Sequence, residues 1–509
     1  MKSKFLCFQT LVLATVVVAI SFIWQGYKGF SLWDEGFLWY GAQRVMLGEV
    51  PLRDFMAYDP GRYYWSAAIM SLWGDNGIMA LRGAVAIFQT MGLFVGLLLI
   101  ARTGKKQNFY YILLSAITLA VWMFPRHKLF DISLSILLIG VLAFLVKNPT
   151  SRRYFFAGMC LGLIAIFGRN HGMYGAAGSV GIMLWLRIKR VEGPGLIKGF
   201  ALWTAGVTTG FMPIIFMAFL VPGFAVAFWE SIRFLFEFKA TNLPLPIPWP
   251  WRVQFVSGQI GEAIRGVLIG LFFIGMVVFG ILSILWAAWQ KNQKKQVPPA
   301  LVGASFLTLP YAHYAYSRAD VGHLAQGIFP FLVGCLVLLA GQPRKIKWPL
   351  SLILCGFSLY VMHVYHPGWQ CRAGNPCVNI QISGSDLIVD PGTASDVGLL
   401  RKLADKYARN SQSFIVTPAW PGAYALLERK SPMWEIYALV PRSQAFEQVE
   451  IERIKAATPG FILVFNFPLD GRDELRFQNT HPLIYRYITE NFERIDESTN
   501  PAYQIYRGN

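Results

Sequence analysis

The sequence predicts a polytopic α-helical membrane protein that ends in a small α/β domain on the extracytoplasmic side. Three observations carry this. Of 509 residues, 55% are hydrophobic and 15% are charged, where a soluble domain has roughly 25% charged. The chain contains about eleven apolar runs of the length that crosses a bilayer. The connections between those runs alternate in charge. The whole chain holds 46 Lys and Arg against 28 Asp and Glu, a formal net charge of +18. Hydrophobicity this high excludes intrinsic disorder. Basic residues spread between apolar runs, not gathered on a polar face, argue against a nucleic-acid partner.

The apolar runs lie near 5–24, 78–101, 108–124, 129–146, 154–168, 172–187, 199–221, 266–289, 299–316, 324–340 and 348–365. One set of connections is short, basic and nearly free of acids. It holds Lys2 and Lys4; Arg102, Lys105 and Lys106; Lys147, Arg152 and Arg153; Lys189, Arg190 and Lys198; Lys291, Lys294 and Lys295; and Arg344, Lys345 and Lys347. The positive-inside rule places these in the cytoplasm. The N-terminus is then inside, and an odd number of spans leaves the C-terminus outside. The first run is long and lacks a convincing small-residue cleavage site, so it reads as a signal anchor.

Composition changes near residue 366. This divides the chain into a transmembrane domain, 1–365, with a long outer loop at 25–77, and a tail domain, 366–509. In the tail, 413–417, 461–465 and 503–506 have strand character, while 395–409, 443–457 and 482–492 have helical spacing. Cys7, Cys160, Cys335 and Cys355 fall in apolar runs and read as packing residues. Cys371 and Cys377, in CRAGNPC, are either two free thiols or a short disulfide, and an oxidising compartment favours the bridge. The tail has no usable Asn-x-Ser/Thr acceptor, which points toward a bacterial inner membrane, with the tail in the periplasm.

The outer loop carries the richest pattern, WDEGFLWYGAQRVMLGEVPLRDFMAYDPGRYYW from Trp33 to Trp65. Asp34 and Glu35 open a stretch with helical apolar spacing at Leu38, Ala42 and Val45. Gly48, Pro51 and Asp59-Pro60-Gly61 end or redirect the chain. The plain reading makes Asp34 an N-cap and Glu35 a complement to the helix dipole. The functional reading makes Asp34 a general base for a hydroxyl at the outer membrane face.

The order Asp34-Glu35, Gly41-Ala42, Arg44, Gly48-Glu49-Val50-Pro51, Arg53-Asp54-Phe55 and Pro60-Gly61-Arg62-Tyr63 resembles the first outer loop of GT-C glycosyltransferases. More narrowly, it is similar to the bacterial branch related to protein O-mannosyltransferases and the lipid A aminoarabinose transferase. One departure is visible, since many relatives have Pro-Pro where this chain has Asp59-Pro60. The resemblance implies a polyprenyl-phosphate-linked sugar as donor and a cell-envelope glycan, glycolipid or protein as acceptor. It implies catalytic roles for Asp34 and Glu35. It places Asp131, Asp54 and Arg62 toward the acceptor or a metal, and it leaves room for a divalent cation such as Mg or Mn.

Other outer polar groups supply candidates for the donor phosphate. Arg126 and Lys128 stand with His127 and Asp131 at the start of the fourth run, where outward positive charge opposes the topology bias. They are either phosphate ligands or snorkelling side chains paired with Asp131. Arg169 and His171 sit in GRNHGMYG. Arg318, Asp320 and His323 sit in YSRADVGHLAQG. An Arg guanidinium binds phosphate oxygens in a planar fork, so Arg318 leads and His323 follows. The rival reading is an Arg318–Asp320 bridge that closes the loop. All seven histidines fall toward the outer side, but none has metal-ligand spacing such as HExxH. The aromatic loop 222–265 reads as a membrane-lying hairpin or as a wall of a lipid-donor groove. The expected chemistry is sugar transfer with inversion. A transporter or flippase for a lipid-linked precursor is the alternative; it calls for ionisable residues deep in the spans and for internal repeats.

Overall fold

A computed structural model describes residues 2–103, 107–189, 193–238, 242–372, 374, 376–498 and 500–508. Lys105, Lys106 and Arg190 lie outside the described residues. Each apolar run falls on a helix. Among the described residues, six helices are long and apolar enough to cross a membrane. The number is seven if Val321–Gly327 and Phe329–Ala340, bent by 53°, form one broken span. Pro330 stands in the first turn after that break, where its missing N–H costs no helical hydrogen bond. Phe109–Val121 is a shorter apolar helix, of 13 residues. Large apolar side chains such as Ile197 and Phe219 are 88% and 83% exposed. Such surfaces belong in hydrocarbon, and the chain is a membrane-embedded protein.

The residues divide into two compact units. One comprises Met1–Gly26 and Val85–Gln370, the other Tyr27–Ala84 and Cys371–Asn509. The composition change near 366 drew one line; the contacts draw a second, so that the outer loop groups with the tail.

The first unit is helical. Its closest helix pair is Ser151–Phe167 against Leu196–Leu220. Gly158 and Gly162 on one helix face Gly206 and Gly210 on the other. A Cβ at Gly158 would lie 2.0 Å from the Trp203 carbonyl oxygen, and one at Gly206 2.0 Å from that of Phe155. Backbone meets backbone, which is how small residues four apart let membrane helices associate without a hydrophobic driving force.

The second unit holds a four-stranded sheet. Ile415–Thr417 runs parallel to Phe461–Phe465. That strand pairs antiparallel with Tyr503–Arg507, which pairs in turn with Glu493–Ile495. Helices Pro391–Tyr407, Gln444–Ala457 and Pro482–Asn491 accompany it. Every residue of Phe461–Phe465 is buried. A hairpin of Val378–Ile382 and Ser385–Val389 stands apart from this sheet. Its turn, Ser383-Gly384, has φ of 45° and 76°, the left-handed geometry of a tight hairpin.

The outer loop joins this unit by backbone bonds. Gly29 N donates to the Ile388 carbonyl at 2.8 Å, and Ile388 N to Tyr27 at 2.9 Å. Gly422 N donates to Leu32 at 2.9 Å, and Met56 N to Trp434 at 2.9 Å. The Trp434 indole N–H donates to Leu52 at 3.0 Å.

Candidate functional site

In the second unit, the two acids of the outer loop open the helix Asp34–Met46. Trp33, not Asp34, is the N-cap residue, and no side chain caps this end. The N-cap reading of Asp34 is therefore corrected. The chain enters through a tight approach instead: a Cβ at Gly36 would fall 2.4 Å from Gly422 Cα. Only glycine lets this helix start lie on the Gly422–Leu426 helix.

Glu35 and Asp34 have opposite environments. Glu35 is 4% exposed, and both its oxygens accept from Arg82, from Nε and from Nη2, each at 2.8 Å. Arg82 Nη2 also donates to the Gly29 carbonyl at 2.8 Å. This is a buried, bidentate ion pair. Sequence reasoning passed over Arg82, yet a signal existed. It is the one charge in the Ile78–Ala101 helix, and an ionisable group inside an apolar helix always calls for a partner. Asp34 is only partly buried. The Tyr437 hydroxyl donates to its Oδ1 at 3.4 Å, and the Tyr437 ring packs edge-on to Trp33 at 6.2 Å.

Asp54 and Arg62, the other candidates of the loop, meet neighbours within it. Asp54 accepts from the Arg53 guanidinium at 2.7 Å and from Val50 N at 2.7 Å. The Arg53 guanidinium holds its carboxyl below the usual carboxylate range. Arg62 is 3% exposed, with its guanidinium 4.9 Å from the Tyr58 ring centroid. Cys371 and Cys377 are joined in a disulfide.

The first unit holds the remaining candidates. Asp131 lies in the first turn of Leu129–Lys147 and is 5% exposed. His171 Nε2 meets its Oδ1 at 2.9 Å, while His171 Nδ1 meets the Tyr311 hydroxyl at 2.5 Å. The sequence grouped Asp131 with its neighbours Arg126 and Lys128; the fold adds a buried histidine from another helix. Arg126 and Lys128 stand in the 3-10 turn Arg126–Lys128. Arg126 donates to the carbonyls of Gln25 and Gly26 at 3.1 and 3.4 Å.

The bridge between Arg318 and Asp320 is formed, Nε to Oδ2 at 2.9 Å. Asp320 also caps the helix Val321–Gly327 through His323 N at 2.8 Å and meets His323 Nδ1 at 3.0 Å. Burial pushes the Asp320 carboxyl up, but its contacts with His323 and Arg318 outweigh this and hold it below its ordinary value. Both residues favoured for the phosphate thus converge on one acid.

Arg169 has a different setting. It opens the helix Arg169–Trp185 and lines a cavity of about 1030 Å³. The walls are mostly apolar, with Trp203, Val207 and Phe211 on one helix and Phe228, Ile232 and Phe236 on another. The Arg169 guanidinium lies 5.2 Å from the Phe228 ring and donates to Ser231 Oγ at 2.8 Å. Asn170, Asn242, His313 and Ser317 add polar groups to the lining. Phe228, Ile232, Leu235, Phe236, Asn242 and Pro244 of the segment 222–265 thus contribute to the cavity wall. His313 and Asn242 carried no motif that could have singled them out. Among the described residues, no three His, Cys, Asp or Glu side chains gather as metal ligands do.

No family model matches the chain. No curated protein matches it either. Among solved structures, it is similar to ArnT from Cupriavidus metallidurans bound to undecaprenyl phosphate. The TM-score is 0.55 at 12% identity, over 98% of this chain and 97% of that one. The apo state of the same protein gives 0.54 at 13% identity, over 97% of each chain. At such identity the likeness speaks for architecture, and it extends over nearly the whole length. The chain has the GT-C fold.

Proposed function

We propose that the chain is a membrane glycosyltransferase that moves one sugar from a polyprenyl-phosphate donor to an extracytoplasmic acceptor hydroxyl, with inversion. The observation that carries this reading is the large apolar cavity with Arg169 in its lining. A polyprenyl phosphate asks for that combination, a hydrocarbon wall and a cation for the phosphate. The bound undecaprenyl phosphate of the similar ArnT structure supports the same donor class. The flippase alternative gains no support from this likeness.

In this reading Asp34 accepts the proton of the acceptor hydroxyl. The hydroxyl oxygen attacks the anomeric carbon as the bond from that carbon to the phosphate oxygen breaks. Polyprenyl phosphate leaves with the electron pair, and its charge is met by Arg169, with Arg318, His323, Arg126 and Lys128 as further basic groups on the donor side. Glu35 is a positioning residue, since its carboxylate is committed to Arg82. The topology that goes with this has eleven spans, the N-terminus in the cytoplasm of a bacterial inner membrane, and the tail in the periplasm.

The test uses the purified full-length protein in detergent with a radiolabelled polyprenyl-phosphate sugar and an envelope extract as acceptor. Labelled product formed without two compartments supports a transferase. Transport of the labelled donor across proteoliposomes with no product overturns it.

A further inference from the structure

The Ile78–Ala101, Leu129–Lys147 and Ser151–Phe167 helices line a second cavity, of about 500 Å³, in the helical unit. Phe88, Leu134 and Phe167 line one end, and Arg102, Phe144 and Phe156 the other. Phe144 and Phe156 are 45% and 46% exposed, so the cavity is a groove on the outside of the bundle. Arg153 joins its basic end: the guanidinium lies 4.2 Å from the Phe144 ring centroid and donates to the Phe144 carbonyl at 2.7 Å. None of the lining residues is acidic.

The groove's length follows from the helix. From Phe88 to Arg102 is 102 − 88 = 14 residue steps, or about 21 Å of helix. That suits one extended acyl chain. The floor is kept open by Gly140, where a Cβ would meet Val95 Cγ1 at 2.8 Å. The basic mouth is at the far end of the Leu129–Lys147 helix from Asp131, which occupies its first turn. The basic mouth is therefore set apart from Asp131 by the length of that helix. Among the described residues, the two connections at the mouth hold Arg102, Lys147, Arg152 and Arg153 and no acid.

We propose that this groove binds an anionic phospholipid, with one acyl chain along Val95 and Gly140 and the phosphate held by Arg102 and Arg153. Lipid tails are as apolar as the groove wall, so burial alone selects no lipid. Selection rests on the head group, which two guanidinium groups meet with charge-assisted hydrogen bonds. A zwitterionic head group brings its own cation to the same place and loses that advantage.

The experiment uses delipidated full-length protein in detergent. Dioleoyl-phosphatidylglycerol and dioleoyl-phosphatidylcholine are offered at equal concentration, and retained lipid is counted by native mass spectrometry. Each arginine near an anionic head group contributes roughly fivefold, so the expected preference for phosphatidylglycerol is on the order of tenfold or more. The double variant Arg102→Gln, Arg153→Gln loses that preference. Arg344→Gln, at the start of a helix that does not line the groove, keeps it. Alkylation of Cys160, which lines the groove, supplies a readout in the unaltered protein. Followed by peptide mass spectrometry, it slows when phosphatidylglycerol is added and stays constant with phosphatidylcholine. Equal retention of the two lipids overturns the proposal. So does equal loss in Arg344→Gln, or alkylation of Cys160 indifferent to phosphatidylglycerol.

Discussion

Asp34 and Glu35 are adjacent carboxylates with separable roles, and the separation is measurable. Glu35 sits with a 6% exposed side chain against an Arg82 side chain of 2%. Removing one charge of such a pair leaves the other buried without compensation, at a cost of about 3–5 kcal/mol. Glu35→Gln is therefore expected to lower the melting temperature in detergent, with activity falling as a consequence. Asp34 is only partly buried. Asp34→Asn is expected to keep the melting temperature and lose transfer by about 10²–10⁴, the range of a general base. Scanning fluorimetry beside a transfer assay separates the two. If Asp34→Asn turned over normally, the base assignment would be wrong. The motif put both acids on one helix start, but spacing along a chain carries no burial. What distinguishes them is Arg82, 47 positions away in sequence.

At the scale of elements, two contacts deserve tests. The glycine pairs of Ser151–Phe167 and Leu196–Leu220 bring the helix backbones together, and the same helices supply Leu161, Trp203 and Val207 to the large cavity. Gly206→Leu places a side chain where the Phe155 carbonyl stands. The expected loss is about 1–3 kcal/mol of stability, as for other overpacked interfaces, together with a raised donor KM. Gly356→Ala, where a Cβ meets nothing within 4 Å, is the matched control with neither effect. If both variants behaved alike, the close approach would not be what holds this wall.

The second contact is Asp396 of the Pro391–Tyr407 helix, which accepts from the Tyr503 hydroxyl at 3.0 Å. Burial pushes its carboxyl up to about 6, above the ~3.9 of an unfolded chain. Between those values the folded state binds more protons than the unfolded state. Stability therefore falls as pH rises through that window and is lowest once Asp396 is ionised. Asp396→Asn is expected to match the wild type near pH 4 and to melt higher above pH 6. Melting curves from pH 4 to pH 8 check this, and parallel curves for the two proteins would remove Asp396 from the account.

The strands that sequence found and missed follow one physical rule. Phe461–Phe465 is buried at every position and so reads as an unbroken apolar run. Glu493–Ile495 is short and mostly exposed, with no apolar pattern to read. The hairpin Val378–Ile382 and Ser385–Val389 is stabilised by its turn and by the bond from Gly29 N to Ile388. That partner comes from the far end of the sequence. Hydropathy located the helices because each must satisfy its own backbone within one segment. It was silent on the joining of the outer loop to the tail, which rests on backbone bonds such as Met56 N to Trp434.

For the whole molecule, the net charge of +18 makes a statement about orientation. The excess is concentrated in short connections, which the proposed orientation puts in the cytoplasm. Those connections, not an anionic partner, account for most of it. A disulfide such as Cys371–Cys377 persists in oxidising compartments, and the proposed orientation puts the tail in one. The two arguments are independent, since one counts cations and the other pairs thiols. A labelling experiment decides both. With Cys7, Cys160, Cys335 and Cys355 replaced by serine, a cysteine is placed at Glu452 in the tail or at Lys295 in a basic connection. In intact spheroplasts a membrane-impermeant maleimide is expected to label Glu452→Cys and to spare Lys295→Cys until the cells are lysed. The opposite pattern would invert the protein in its membrane. It would put Asp34 on the side where no extracytoplasmic acceptor exists, and the proposed reaction would fall with the topology.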